Sequence, residues 1–435
     1  MKVPILIAIL TISATAIFAG ILPVGKGTGL QGDYYNGTEL TEPALMTRTD
    51  STIDFSYSGN DELLTGKLNN NFSVRWIGRI MPRYSESYTI TTMTDDGIRV
   101  WIDNNILIDN WTNHGGTEDN GTINLDAGKL YDIKIEFFQG GGGGGMQLFW
   151  SSASQEKELL PKSQLYPLTF RGKTFVYTDD ADIKKSAIFI KDEKETKKIL
   201  EAGNAEPALS IDGDKIVYIN TEKISWDDPN MIKNTDIHLL NIKSNEIKRL
   251  SHPGYEDRHP TFSTDGKKIA FACRNTGKWQ IWRMNTDGGK LTTIVKNEYD
   301  NDCPAFNADG TKIIFQSKRD DKWNLYSVSA NGSDEIQLTT DGGTEPATSL
   351  YYDLICFVNK GALYTINGAG KELKKISPET TDAEYSHPVI NIDGRSVAAL
   401  KKTKERSEII IINFKKLNEE AMPIEGNAYY LSWSL

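Results

Sequence analysis

The stretch His259-Pro-Thr-Phe-Ser-Thr-Asp-Gly-Lys-Lys-Ile-Ala-Phe271 reads as a short strand, a tight turn at Thr264-Asp265-Gly266 and a second, apolar strand. Asp-Gly favours hairpin turns because glycine adopts φ > 0 without steric cost. The motif recurs as Glu206-Pro-Ala-Leu-Ser-Ile-Asp-Gly213, Cys303-Pro-Ala-Phe-Asn-Ala-Asp-Gly310 and His387-Pro-Val-Ile-Asn-Ile-Asp-Gly394. Another copy, Glu345-Pro-Ala-Thr-Ser-Leu-Tyr-Tyr352, has lost the Asp-Gly. The prolines of the series, Pro207, Pro260, Pro304, Pro346 and Pro388, are separated by 53, 44, 42 and 42 residues.

A period near 40–45 residues with about four strands per unit is the mark of a β-propeller blade. The long first interval is accounted for by an insert, Glu222 to Asn234, between two strands. Third strands follow in each unit, as in Gln280-Ile-Trp-Arg-Met-Asn-Thr-Asp-Gly288, Asn324-Leu-Tyr-Ser-Val-Ser-Ala-Asn-Gly332 and Ala362-Leu-Tyr-Thr-Ile-Asn-Gly368. The terminal stretch Ala428-Tyr-Tyr-Leu-Ser-Trp-Ser-Leu435 matches an inner strand, with Trp433 on Phe262. Arg171-Gly-Lys-Thr-Phe-Val-Tyr177 matches Asp265–Phe271. The two ends are therefore expected to share a sixth blade, which closes the ring and leaves no open sheet edge. An open stack of sheets is the alternative. In these motifs residues 171–435 resemble the TolB-type six-bladed propellers, a fold that hosts many activities.

The rest of the chain sets broader bounds. Its 435 residues predict two or more domains, and 38% hydrophobic with 25% charged residues is a globular composition. A net charge of −10 argues against nucleic acid as a partner. Residues 1–19 read as a signal peptide, with Lys2 ahead of the apolar run Val3–Ile12 and a cleavage site at Ile17-Phe-Ala19. An uncleaved anchor is the other reading, although the run is short for a membrane span. Export to the periplasm, cell surface or medium is the expectation, with no membrane span after cleavage. The three cysteines, Cys273, Cys303 and Cys356, are odd in number and fall in different blades, so buried free thiols are expected.

Residues 28–167 carry alternating strands and no helix period, a β-sandwich reading. The strands include Tyr88–Met93, Ile98–Ile102, Tyr131–Phe138 and Met146–Trp150. Gly32-Asp-Tyr-Tyr35, Phe72-Ser-Val-Arg-Trp76, Asp95-Asp-Gly-Ile-Arg-Val-Trp101, Ile108-Asp-Asn-Trp111, Ala127-Gly-Lys-Leu-Tyr131 and Leu148-Phe-Trp150 closely resemble the PA-14 domain across its length. The whole chain is thus expected to be all-β: a PA-14 β-sandwich followed by a six-bladed propeller closed by the C-terminal strand. The linker Leu168-Thr169-Phe170 spans about 10 Å at most, so the domains must abut.

The resemblance implies carbohydrate binding, which several family members perform. Asp95 and Asp96 are adjacent carboxylates at a hairpin mouth and repel unless a cation joins them; hard oxygen ligands suit calcium. In sugar-binding adhesins that resemble this domain, such a pair, joined by a cis peptide, binds calcium, and calcium binds sugar hydroxyls. The second loop of that scheme is here Gln139-Gly-Gly-Gly-Gly-Gly-Gly-Met146. It offers Gln139, Gly140 and Gly141 as backbone contacts, with no asparagine side chain where the adhesins carry one. The alternative is that Asp95-Asp96-Gly97 forms a turn with one solvated and one backbone-capping carboxylate. Trp111, in a loop with Asn113 and His114, is the candidate for sugar stacking. Trp76, Trp101 and Trp150 are expected in the core.

The residues before the inner-strand prolines form a second constellation: Glu206, His259, Cys303, Glu345 and His387, with Tyr430 aligned to them. They are expected to face the central channel, either as a hydrated polar lining or as transition-metal ligands. Some propeller lyases acting on uronic sugars use a histidine-rich metal site there, with three histidines where this ring has two. No Gly-x-Ser-x-Gly elbow, His-Glu-x-x-His or phosphate loop occurs. The expected function is exported carbohydrate recognition, with the propeller as a platform for a protein partner. A metal-dependent polysaccharide lyase carrying a sugar-binding module is the alternative.

Overall fold

The computed structural model describes residues 25–434 except 42–43, 58–70, 168–173, 193, 222–234, 252–254, 276, 380–381, 392–393, 423 and 425. The expected leader, linker and insert, and the Leu435 and Arg171 ends of the seam, lie outside the described residues.

The first module is a two-layer β-sandwich. Its strands are β1 (Leu30–Asn36), β2 (Met46–Asp50), β3 (Asp54–Tyr57), β4 (Phe72–Ile80), β5 (Glu86–Asp95) and β6 (Ile98–Ile102). They continue as β7 (Asn105–Asn110), β8 (Thr117–Leu125), β9 (Tyr131–Gln139), β10 (Gly144–Ser152), β11 (Gln155–Leu159) and β12 (Leu165–Tyr166). One sheet runs β2-β1-β4-β9-β6-β7 with β12 against β4; the other runs β11-β10-β5-β8 with β3 against β10. Between them lie Tyr34, Val74, Trp76, Ile90, Val100, Ile135, Phe137, Leu148 and Trp150. Alternation on each strand puts these side chains on one face. Asp50 is buried at this core's edge, where it accepts hydrogen bonds from Trp76 Nε1 at 2.6 Å and Tyr34 OH at 2.7 Å and pairs with Arg48 at 2.6 Å.

The opposite face of the β4 sheet is also covered, and its chemistry is different. Asp33, Arg75, Glu136, Arg99 and Asp109 stand side by side on adjacent strands. Their signs alternate across the sheet, so every neighbour is an attraction. Arg75 Nε donates to Glu136 Oε1 at 3.0 Å, and Arg99 pairs with both Glu136 (3.5 Å) and Asp109 (3.2 Å). Burial pushes the Glu136 carboxyl up, but Arg75 and then Lys134 outweigh it and hold the group below the usual carboxylate range. Trp101 belongs to this outer face and not to the core, because Ile98, Val100 and Ile102 take the inward positions of β6. Lys134 Nζ lies 3.9 Å from the centre of its ring.

The remaining residues form four-stranded antiparallel sheets. The first has β13 (Thr174–Thr178), β14 (Ile188–Lys191) and β15 (Thr196–Leu200). The second has β16 (Asn204–Leu209), β17 (Lys215–Asn220), β18 (Asp236–Asn241) and β19 (Glu246–Arg249). The third has β20 (Glu256–Phe262), β21 (Lys268–Arg274), β22 (Gln280–Asn285) and β23 (Thr292–Val295). The fourth has β24 (Asp300–Phe306), β25 (Lys312–Arg319), β26 (Lys322–Ser329) and β27 (Ile336–Gln337). The fifth has β28 (Thr344–Thr348), β29 (Ile355–Asn359), β30 (Ala362–Ile366) and β31 (Lys374–Lys375). The sixth has β32 (Glu384–Ile390), β33 (Ser396–Lys402), β34 (Ser407–Asn413) and β35 (Glu419–Met422). The last strand, β36 (Leu431–Ser434), returns to β13, pairing Trp433 with Phe175, whose rings stack at 4.9 Å. First strands of successive sheets touch in turn from β16 to β32; β32 touches β36, and β36 touches β16.

The two modules meet at the sequence copy that lost its Asp-Gly. Tyr351 and Tyr352 replace that turn, and both are buried against Ile77, Ile211, Leu350 and Leu354. Tyr352 OH donates to Asp33 Oδ2 at 2.5 Å, and its ring lies 4.9 Å beneath the Arg75 guanidinium. Arg395 of the sixth sheet also binds Asp33 and donates to Thr47 Oγ1 at 2.8 Å. Elsewhere Asn104 Nδ2 donates to Thr264 Oγ1 at 3.4 Å, and Trp101 and Lys134 face Ala308, Asp309 and Tyr351 across a small cavity. The front module thus meets turns of the third, fourth, fifth and sixth sheets, at Thr264, Asp309, Tyr352 and Arg395.

One buried carboxyl makes stability pH-dependent. Asp257 on β20 is 1% exposed, beside Cys273 and Ser251, and burial pushes its pKa up to about 7. Asp236 adds repulsion; Arg249 attracts, while itself paired to Asp236 at 2.8 Å. The folded chain therefore holds a proton that the unfolded chain, with an aspartate pKa of about 3.9, has released. Stability from this group is greatest below about pH 4 and falls as pH rises to about 7, by a total on the order of 4 kcal/mol. Asp257→Asn is expected to raise the melting temperature at pH 8 and to change it little at pH 4, measured by calorimetry at both values.

Candidate functional sites

Three loops of the front module converge on Asp96. The chain turns between β5 and β6 at Asp95-Asp96, whose peptide bond is cis, as the resemblance implied. Asp96 is buried, and its Oδ1 accepts the His114 backbone N–H at 3.0 Å while its Oδ2 accepts that of Gly140 at 2.8 Å. One carboxylate therefore ties the 111–116 loop and the glycine loop to its own. Asp95 is half-buried, and its pKa is raised, by burial first and by the charge of Asp96 second, with His114 opposing.

The other expected residues have distinct places. Gln139 is fully buried, and its Nε2 donates to the carbonyls of Gly141 at 3.3 Å and Gly143 at 3.5 Å. It shapes the glycine loop from beneath, while its Oε1 is buried without a partner. Trp111 is half-buried: its edge meets Phe138 at 4.8 Å and Arg99 covers it at 4.4 Å. Its indole is held in place on both sides. Gly141, Gly142 and Gly143 are the exposed part of the loop and Gly140 is half-buried; a Cβ at Gly141 would meet nothing within 4 Å. A Cβ at Gly140 would lie 3.3 Å from Asp96 Oδ2 and 3.5 Å from Asn113 Oδ1, so these two oxygens border one small space. Asn113, on another loop, thus places an asparagine oxygen beside the glycine loop, which has none of its own. Sequence spacing does not reveal this, since 26 residues separate Asn113 from Gln139.

The loops lie at the far end of β6 from the propeller. Strand β6 has Asp96 before it and the Asp103-Asn104 turn after it, and Asn104 is the residue that reaches Thr264. Five residues of extended chain separate the two turns by roughly 17 Å.

The second site is a cavity of about 300 Å³ lined by β16, β20, β24, β28, β32 and β36, one strand from each sheet. Glu206, His259, Cys303, Glu345, His387 and Tyr430 all border it. The first five have left-handed backbones, with φ of 51°, 50°, 47°, 51° and 49°. Such φ values are rare outside glycine. At each, the pairing with the second strand shifts register, so a bulge recurs before every proline and turns that side chain out of the pleat. Two of the hydrogen bonds repeat three sheets apart. His259 N–H donates to Glu206 Oε2 at 2.5 Å, and His387 N–H donates to the equivalent oxygen of Glu345.

The third and fourth sheets add a residue that the repeat reading passed over. Asp302, just before Cys303, is 3% exposed and accepts from His259 Nδ1 at 2.8 Å. Arg258 holds its other oxygen at 2.5 Å and lies flat on Trp279 at 3.7 Å. Burial opposes charge on His259, but Cys303, Glu206 and Asp302 outweigh it and raise its pKa well above the ordinary value. Among the described residues His259, Asp302 and Cys303 are the group whose ligand atoms all lie within 4.8 Å of one another. Glu345 and His387 do not join it.

Residues 26–164 match the PA14 domain model. Residues 232–380 match the model of the dipeptidyl peptidase IV N-terminal region. The chain is similar to Anti-sigma-I factor RsgI3 of Acetivibrio thermocellus, 43% identical over 168 residues, covering 37% of this chain and 26% of that protein. It is also similar to the Protective antigen of Bacillus anthracis, 27% identical over 141 residues, covering 32% of this chain and 18% of that protein. The chain therefore spans about a quarter or less of these relatives. The structure of TolB from Acinetobacter baumannii aligns with a TM-score of 0.52 at 19% identity, over 66% of this chain and 78% of that one. The likeness shows a TolB-like propeller fold behind the PA14 module.

The glycine loop gives a direct test of how tightly the PA14 site is built. A Cβ at Gly144 would fall 1.5 Å from the buried Gln139 Oε1 and 2.8 Å from the Asp95 carbonyl. Gly144→Ala is expected to cost about 1–3 kcal/mol of module stability, whereas Gly141→Ala should be near neutral. Thermal melts of the two variants check this.

Proposed function

We propose that the chain is an exported carbohydrate-recognition protein that captures a glycan through its PA14 module and presents a six-bladed propeller, closed by β36, to a protein partner. The observation that carries the reading is the convergence of Asp95, Asp96, Asn113 and the accessible glycine loop at the end of the module that points away from the propeller. The sequence of residues 1–19 supports export, and among the described residues no helix is long and apolar enough to cross a membrane. The similarity to an anti-sigma-I factor points to a second kind of role, in signalling.

The oxygen-rich donor set fits a calcium ion, as does the pKa of Asp95, raised in the absence of a cation. Asp95, Asp96 and Asn113 would hold the ion, with glycine-loop carbonyls beside it. The ion would offer open coordination positions to sugar hydroxyls. Gln139 would then support the loop and Trp111 would wall the site.

The runner-up, a metal-dependent lyase acting in the propeller cavity, is favoured by the grouping of His259, Asp302 and Cys303. An absorbance rise from unsaturated products, with wild-type protein on acidic polysaccharides, would replace the recognition reading.

Asp95→Ala and Asp96→Ala are each expected to abolish calcium-dependent retention on a glycan array. Asp95→Ala should leave the melting temperature of the calcium-free protein unchanged, because among the described residues that side chain ties no other loop. Calorimetry showing no calcium binding by the wild type would overturn the calcium assignment.

Deleting residues 428–435 tests the closure. It removes β36 and the Phe175–Trp433 stack, a loss of about 3–5 kcal/mol by large-to-small precedents, and exposes the edge of β13. The propeller should unfold or aggregate while the PA14 module resists proteolysis. A soluble, protease-resistant propeller of unchanged melting temperature would refute closure by this strand.

A further inference from the structure

We propose that His259, Asp302 and Cys303 form a binding site for a zinc-class divalent cation in the wall of the propeller cavity. The cluster joins two sheets: His259 is on β20, and Asp302 and Cys303 are adjacent on β24. His259 Nδ1 lies 2.8 Å from Asp302 Oδ1 and 3.4 Å from Cys303 Sγ. All three ligand atoms fall within 4.8 Å of one another. An imidazole, a carboxylate and a thiol are three ligand types that zinc accepts together, and sulfur disfavours calcium and magnesium.

The surroundings build the site as well as crowd it. Left-handed backbones at His259 and Cys303 turn both side chains toward the cavity. Arg258 and the Cys303 backbone N–H, at 2.5 and 2.9 Å, anchor the Asp302 carboxylate. Such outer contacts orient ligands in known metal centres. Three protein ligands leave one tetrahedral position, and the cavity borders both His259 and Cys303. Glu206 Oε1, 3.8 Å from His259 Nε2, lies on the other side of the ring.

Binding is an exchange of cations. In the metal-free protein burial pushes the Cys303 thiol up to about 12. A dication supplies the charge that burial withholds: the thiol proton and the imidazolium proton leave to solvent, and the metal takes both lone pairs. Sequence spacing does not reveal this set, because 43 residues separate His259 from Asp302.

The probe is cobalt(II) chloride added to the purified full-length chain. Wild-type protein should bind one cobalt ion with a thiolate-to-metal charge-transfer absorbance, and zinc should displace it. Cys303→Ser should lose that absorbance, whereas Cys273→Ser should keep it, because Cys273 is buried elsewhere in the third sheet. The Asp95→Ala variant should also keep it, which separates this site from any cation at the PA14 loops. A second measurement needs no variant. Zinc should slow alkylation of Cys303, the least buried thiol of the three, by roughly tenfold or more. Absence of a thiolate band in the wild type, its survival in Cys303→Ser, or alkylation of Cys303 unaffected by zinc would each overturn the assignment.

Discussion

The carboxylate of Asp33 holds the molecule together. It is 1% exposed, and it accepts hydrogen bonds from Tyr352 of the fifth sheet, from Arg395 of the sixth and from Thr47 of its own module. A buried charge with so many partners is expensive to strand, so the modules are coupled through it. The alternating row that begins at Asp33 extends the principle. Each carboxylate on the covered face of the sandwich is matched by a guanidinium in the neighbouring strand, so a charged surface can be buried at modest desolvation cost. The same row explains how Arg75 is buried in the middle of β4.

Much of this architecture is legible in the repeat. Proline spacing predicts four-stranded units, the turn glycines Gly213, Gly266 and Gly310 mark their first hairpins, and the similarity of 428–435 to an inner strand anticipates the pairing of β36 with β13. The loss of Asp-Gly at Tyr351-Tyr352 is equally visible, but its reason is not. A repeat read alone looks degraded where it has exchanged a solvent turn for a docking surface. Trp101 misleads for the same cause: an aromatic residue on a strand reads as core, whereas this one faces the neighbouring module.

The sites divide along similar lines. Adjacent residues such as Asp95 and Asp96, and those at a fixed offset from a repeat landmark such as His259 and Cys303, are found by reading the chain. Asn113 and Asp302 are not, because each acquires its partner through pairing between distant strands or loops. Gln139 and Trp111 show a further limit. Sequence places both in the candidate loops, while packing decides that one supports the loop from beneath and the other is clamped between Phe138 and Arg99.

The contacts of the PA14 module with turns of the third, fourth, fifth and sixth sheets have a mechanical consequence. A force applied to the outward loops of the sandwich is shared among several sheets at once and is not focused on the covalent link between the modules. Held at several points, the sandwich resists rotation about that link, so its loops keep a fixed direction relative to the propeller.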